Sequence, residues 1–339
     1  MRSKILLTFV KKSGKIGYGK YLFLKGCFVM IKIGTVNIDT SHAPSFAEIL
    51  LKEDRARYTA IYNDSFRTEE EVNAFCERFG LTHKCKTLEE MVPLVDVAFI
   101  QGCDWDKHIE TCRPFVEAGV PVFVDKPLCG NKKDMDIFRA WAKEGKVILG
   151  TSAMRYTYEH QAFFAVPAEE RGEICHITAT VGVDEFNYAI HAVESITGLL
   201  NGVKAKSVKY VGCGTTDGAP TETFFVLFEN GVSATYHVRM KGWQPSTLTI
   251  VTTKTTYVYK IDSNKVYEAM LKEFCNCMEG KESMMASVED MLTSIEIMLA
   301  GRLSRENGGI EVDPNNIPAD DKGFDGYEFW VGYAAAQRK

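Results

Sequence analysis

The 339-residue chain has no low-complexity tract and no internal repeat, so it is neither a solenoid nor a fibrous protein. Its ten cysteines follow no regular spacing. The nearest approach to a metal pair, Cys275-x-Cys277, lies in a helical pattern with no second pair and no histidine nearby. That excludes a disulfide framework and a zinc ribbon, leaving reduced thiols in a cytoplasmic protein and no metal. Residues 1–29 contain no acid but carry Arg2, Lys4, Lys11, Lys12, Lys15, Lys20 and Lys25. The chain's net charge is -5, so this +7 segment leaves -12 on the remainder, which argues against nucleic acid as a partner. Ile5 to Val10 is too short for a secretory core, and no small-residue cleavage site follows. Residues 1–29 therefore read as a disordered extension or a mis-assigned start before Met30; a tether to an anionic surface is the alternative.

With 45% hydrophobic and 25% charged residues, the composition is that of a globular protein, and the length suits two domains. From Ile31 short apolar runs alternate with helical patterns, the signature of βαβ units and a parallel sheet. Strands are expected near 31–37, 56–62, 95–101, 120–125 and 146–150. Helices are expected near 43–52, 68–79, 105–118 and 131–144, with Gly80, Gly119 and Gly145 at C-terminal caps. Residues 30–151 thus read as a Rossmann-like, doubly wound α/β domain.

Residues 152–339 read as an α+β domain on an open antiparallel sheet. A helix is expected near 156–171, a strand at 173–183 and a helix near 187–200. Strands follow at 206–212, 221–229, 232–240, 246–252 and 255–261, then helices near 264–279 and 286–305. Val232, Ala234, Tyr236, Val238 and Met240 alternate with Ser233, Thr235, His237 and Arg239, giving one apolar and one polar face. The tail 311–339 reads as irregular, its Phe324, Tyr327, Phe329 and Trp330 packing down.

In open α/β sheets ligands bind beyond the carboxyl ends of the strands. Val122-Phe123-Val124 ends there in Asp125, Lys126 and Pro127. After the first strand a dinucleotide turn wants glycines, but Asn37 and Asp39 stand where the first two belong. Asn tolerates the left-handed region, whereas an inward carboxylate at Asp39 would repel a pyrophosphate. Thr40, Ser41 and His42 either belong to a modified ligand loop, with an anion at the helix start, or form a cap beside a surface histidine. At the end of the second strand Asn63 and Asp64 either hold ribose hydroxyls or make an Asx turn.

The order of the turn near residue 34, His108, Asp125-Lys126-Pro127 and Asn187-x-x-x-His191 resembles the glucose–fructose oxidoreductase / inositol dehydrogenase (Gfo/Idh/MocA) family from Met30 onward. The family's Glu-Lys-Pro is matched with Asp for Glu, and its Asp-x-Gly-x-His helix start with Asn187 and Ala189 at the changed positions. The resemblance implies an NAD- or NADP-dependent oxidoreductase acting on a sugar, cyclitol or related polyol. In it His191 is the acid/base, Lys126 its electrostatic partner, and Asn187 a third catalytic residue, in the place of an aspartate that binds substrate and sets the histidine's basicity, keeping a hydrogen bond without the charge. Imidazole suits proton transfer near neutral pH, and a lysine stabilises a developing alkoxide. Asn187, His191 and Glu194 at i, i+4 and i+7 share one helix face, so Glu194 and Asn187 are expected to place substrate hydroxyls. Arg155 and Tyr156 match an Arg-aromatic step at the domain junction, a substrate or cofactor contact or a structural anchor. Gly102, Cys103 and Asp125 join Asn37, Asp39, Thr40, Ser41, His42, Asn63 and Asp64 as expected cofactor contacts. His108 reads as a structural cap, Trp105 as a pocket wall. The resemblance also implies pairing through the open sheet, as a homodimer or homotetramer. Two other readings stand open: a redox-neutral sugar lyase or glycosidase that retains its nicotinamide, and a catalytically silent ligand-binding relative.

Overall fold

The structure, a computed structural model, describes residues 30–338 and the backbone of two short strands before them, β1 (Phe9–Lys12) and β2 (Lys15–Tyr18), which pair antiparallel. The rest of 1–29, expected as a disordered extension, lies outside the described residues.

The first large sheet holds β3 (Ile31–Val36), β4 (Ala56–Tyr62), β5 (His83–Lys84), β6 (Val97–Ile100), β7 (Val122–Val124) and β8 (Ile148–Gly150). All pairs are parallel and the order is β5-β4-β3-β6-β7-β8, so the order reverses between β3 and β6. Every residue of β6, β7 and β8 is buried, as expected of strands covered on both faces. The crossovers carry α1 (His42–Lys52), α2 (Glu69–Phe79), the single turn α3 (Leu88–Met91), α4 (His108–Ala118) and α5 (Lys132–Lys143). Thr68 and Glu71 form a capping box at the start of α2. Gly80 and Gly119, at φ 69° and 77°, end α2 and α4 where a side chain would be strained.

The chain then runs through α6 (Tyr158–Ala165), α7 (Ala168–Arg171), β9 (Ile174–Val183), α8 (Ala189–Thr197), β10 (Ala205–Thr216), β11 (Ala219–Phe228), β12 (Ser233–Met240), β13 (Thr247–Thr252) and β14 (Thr256–Lys260). The helices α9 (Val266–Met278), α10 (Val288–Glu306) and α11 (Gly326–Gln337) complete it. Pro167 splits the single helix expected over 156–171, because it donates no backbone N–H. The second sheet, in order β10-β11-β12-β9-β13-β14, is mixed rather than antiparallel throughout, since β12 pairs parallel with β9. The tail is not irregular: α11 is a three-turn helix capped by Asp325, which accepts the Glu328 N–H at 2.7 Å.

Helix α9 crosses back onto the first sheet. Its Phe274 ring lies 4.9 Å from Phe99 and 5.6 Å from Phe123, edge to face. Phe99 and Phe123 themselves stack at 4.5 Å, so one aromatic cluster joins the chain's two halves.

Candidate functional site

Two groups of polar side chains meet beyond the carboxyl ends of the first sheet. The first lines the crevice between β3 and β6. Asn37 takes the left-handed conformation, φ 64°, that the turn requires without glycine. Its side chain and Asp64 bond reciprocally: Nδ2 donates to Asp64 Oδ1 at 3.0 Å, and Asp64 N–H donates to Asn37 Oδ1 at 3.0 Å. Asp39 lines the same crevice, and its Oδ1 is buried without a hydrogen-bond partner among the described residues. It is buried, and its Oδ2 accepts the Cys103 N–H from the neighbouring strand's loop at 2.9 Å. Burial pushes this carboxyl up, against the Cys103 and Ser65 hydrogen bonds and Arg67, which hold it down. Arg67 donates to the Asp39 carbonyl at 2.6 Å, and Asn63 Nδ2 reaches the Arg67 carbonyl at 3.4 Å. Thr40 Oγ1 accepts the His42 N–H at 3.2 Å, while the exposed Ser41 caps nothing. Gly102 floors the crevice; a Cβ there would come within 3.2 Å of Asn37 Nδ2.

A roof covers this floor. Trp330 of α11 donates to Ser65 Oγ at 2.8 Å, and its ring meets Phe66 at 6.0 Å. The Gly326 N–H donates to Asp106 at 2.8 Å, and Phe329 packs 5.1 Å from Trp105. The cavity enclosed by Asn37, Asp39, Gly102, His108 and Trp330 measures about 20 Å³. That is room for a water. His108 places Nδ1 on the Leu128 carbonyl and Nε2 on that of Gly102, each at 3.0 Å, which makes it a clamp between loops rather than the helix cap the sequence suggested. Trp105, expected to wall a ligand pocket, is 3% exposed and donates to the Phe324 carbonyl.

The second group gathers at the end of β7. Lys126 donates to the Asn187 carbonyl at 3.0 Å and to its Oδ1 at 2.8 Å, and stands 5.2 Å from the Tyr188 ring centre. Burial lowers the Lys126 ammonium, while Asp125, Asp184 and Cys103 raise it. His191 Nδ1 lies 2.6 Å from Ser152 Oγ. Burial, then the charges of Lys126 and His42, hold this imidazole well below its usual value. His42 Nδ1 lies 2.6 Å from Asp125 Oδ2. Burial raises the Asp125 carboxyl, but His42 and Lys126 outweigh it and leave the group lowered.

Asn187, Lys126 and His191 therefore come together as the sequence indicated, although Asn187 precedes α8 instead of riding on it. Arg155 and Glu194 do not face this cleft, which corrects the expectation of substrate contact. They are 1% and 0% exposed and pair with each other at 2.6 Å, and Arg155 also bonds Asn201, Thr197 and Ser294. Because Asn187 lies before α8, the helical spacing does not carry its direction to Glu194, which instead meets the buried Arg155, and a buried guanidinium needs a carboxylate. Three contributors escaped the sequence reading: Ser152, Tyr188 and Trp330. Ser152 alone carried a signal, as a hydroxyl two residues beyond a buried parallel strand.

Comparison with known proteins agrees with this geometry. Residues 29–152 match the model of the Gfo/Idh/MocA oxidoreductase family, NAD-binding Rossmann fold. The likeness to that family's model is confined to this first domain. A protein of Amycolatopsis mediterranei, assigned as the oxidoreductase subunit of a UDP-kanosamine synthase, is 33% identical over 70 residues, which span 21% of this chain and 19% of that protein. Among solved structures, a protein of Thermotoga maritima assigned as a dehydrogenase superposes with a TM-score of 0.73 at 18% identity, over 85% of this chain and 100% of that one. The scyllo-inositol dehydrogenase of Lactobacillus casei gives 0.72 at 16% identity, over 85% and 99%. The latter enzyme is also known with NAD(H) and scyllo-inositol bound. These likenesses cover both domains and establish the fold.

The residues of the crevice fit the dinucleotide that the family name implies. Asn37 makes the turn, Gly102 leaves the floor bare, and Asp39 is drawn down onto Cys103. Asn37, Asp64 and the first N–H groups of α1 would hold it, once α11 has moved aside.

Proposed function

We propose that this protein is an NAD(P)-dependent oxidoreductase acting on a CH–OH group of a sugar, cyclitol or related polyol. One observation carries the reading: the Lys126 ammonium and the imidazoles of His42 and His191 converge beside the parallel strand ends where the family binds its cofactor. A bound nicotinamide accepts hydride. The chain supplies the rest: a cation to stabilise alkoxide, an imidazole to take the hydroxyl proton, and Asn187 with Ser152 as polar contacts for further hydroxyls. Titration with NAD and NADP, followed by turnover on myo-inositol, scyllo-inositol, D-glucose and related polyols, tests it. Binding of neither dinucleotide sinks the reading.

The α11 roof favours a second reading, a redox-neutral lyase or glycosidase that keeps its nicotinamide through turnover, because a covered crevice slows exchange. Dinucleotide surviving purification with no net reduction would select it. Two copies are proposed to pair through the open face of the second sheet, where threonines and histidines lie half-buried. Light scattering of the full chain tests this. Among the described residues no helix is long and apolar enough to cross a membrane.

A further inference from the structure

The proposed reaction leaves one buried carboxyl of the crevice without a part. Asp39 stands where the second glycine of a dinucleotide turn belongs, the position whose bare backbone a pyrophosphate approaches. Its carboxyl lies on the crevice floor: Oδ2 accepts the Cys103 N–H at 2.9 Å and would be 3.8 Å from a Cβ on Gly102, beside Asn37. Oδ1 is buried and bonds to nothing among the described residues, and the side chain lines the cavity. Carboxylates that leave water normally fill both oxygens. This one keeps an oxygen unmatched at the place a pyrophosphate would come to.

The groups packed around it do not supply the missing partner. From the loop after β4, Arg67 gives its guanidinium to the Asp39 carbonyl at 2.6 Å and to Glu71 at 2.9 Å, while Asp64 Oδ1 accepts from Asn37. From the loop after β6 come the Cys103 thiol, held up by burial, and Asp104, which Lys107 supports. His108 has both nitrogens on carbonyls, and Tyr333 of α11 is a phenol that burial keeps protonated. Burial pushes the Asp39 carboxyl up against the hydrogen bonds of Cys103 and Ser65 and the charge of Arg67. A protonated carboxyl can donate to a phosphate oxygen, whereas an ionised one would meet the pyrophosphate as a second anion.

We infer that Asp39 binds a proton when the dinucleotide enters and donates it from Oδ1 to the pyrophosphate, so that cofactor affinity is tied to pH through this one carboxyl. The inference rests on the dinucleotide-dependent reading above. The O–H bond forms with a proton from solvent and is lost again when the cofactor leaves. Linkage sets the sign: affinity is full below the carboxyl's value in the free protein, falls by at most about tenfold per pH unit above it, and levels off above its higher value in the complex. Asp39 can then replace a glycine without forbidding the cofactor.

The test is isothermal titration of the full chain with NAD and NADP in two buffers of different ionisation heat, repeated between about pH 5 and about pH 9. The wild type is expected to take up as much as about one proton per dinucleotide and to bind more weakly as pH rises. In Asp39→Asn the amide still accepts the Cys103 N–H and can donate without a charge. That variant is expected to lose the uptake and to bind at least roughly tenfold tighter than the wild type at the alkaline end. Asp39→Gly, which restores the residue such a turn wants, is expected to lose the uptake as well. Uptake and pH slope that persist in both variants, or a wild type that binds dinucleotide without uptake at any pH, overturn the inference and leave the oxidoreductase reading standing. A wild type that binds neither dinucleotide at any pH overturns both; if Asp39→Asn then binds, the carboxyl excludes the cofactor instead of holding it.

Discussion

Lys126 shows how one residue's surroundings set both its charge and its use. Burial lowers its ammonium and Asp184 supports it, so removing that support lets the proton leave at lower pH. Asp184→Asn is expected to move the alkaline fall of activity to lower pH, read from a pH–rate profile; its side-chain oxygen can still accept the Phe186 and Tyr188 N–H groups. Lys126→Ala is expected to cost roughly 100- to 1,000-fold in kcat, the scale of a lost oxyanion donor. His160 gives the stability counterpart. Burial lowers it to about 4, so the unfolded chain binds its proton first as pH falls below about 6.5. Stability from this residue is present above that range and is lost as pH falls toward 4. Between about pH 7.5 and about pH 5 the loss is expected to reach about 2 kcal/mol, and urea midpoints of His160→Gln should show a flatter dependence. At this scale the sequence revealed which residues matter better than what they touch. Lys126, Asn187 and His191 stood out through order and spacing. The His42–Asp125 pair did not, because 83 residues separate its members and each had been explained by its own strand end.

At the scale of elements, the parallel strands and their crossover helices were legible because apolar runs and capping glycines repeat at short range. The parallel pairing of β12 with β9 was not. Both strands alternate in the same way whichever direction their neighbour runs. Nor was α11, whose apolar and polar residues show no helical stripe because one face meets the first domain and aromatic rings surround it. Its position yields a prediction. Ending the chain after Asp325 keeps Phe324 stacked on Phe186 at 4.0 Å but removes the roof. Dinucleotide is expected to bind at least roughly tenfold faster to the shortened chain, since binding no longer awaits a minor open state. Stopped-flow fluorescence reads the rate; an unchanged rate shows that α11 does not limit entry.

At the scale of the molecule, the two sequence halves do not fold into two separate cores. Phe274 and Tyr267, from α9, complete the aromatic packing around Phe46, Phe99 and Phe123, and Arg55 of the first half pairs with Glu279 at 2.8 Å. Residues 30–152 alone are therefore expected to expose these rings and to bind a hydrophobic dye, where the full chain does not. The Arg155–Glu194 pair ties the junction from within. Arg155→Met leaves a buried carboxylate alone and is expected to cost about 3–5 kcal/mol, measured by denaturant unfolding, with less effect on the KM for polyol.

Trp330 has one more consequence. Of the four tryptophans, Trp105 and Trp141 are sealed in the interior and Trp243 is 68% exposed, whereas Trp330 stands half-buried at the crevice wall with its indole N–H on Ser65. Whatever enters must break that hydrogen bond and change the polarity around this ring. The protein thus carries its own optical reporter: a shift in emission that disappears in Trp330→Phe would reveal occupancy of the crevice before any substrate is known.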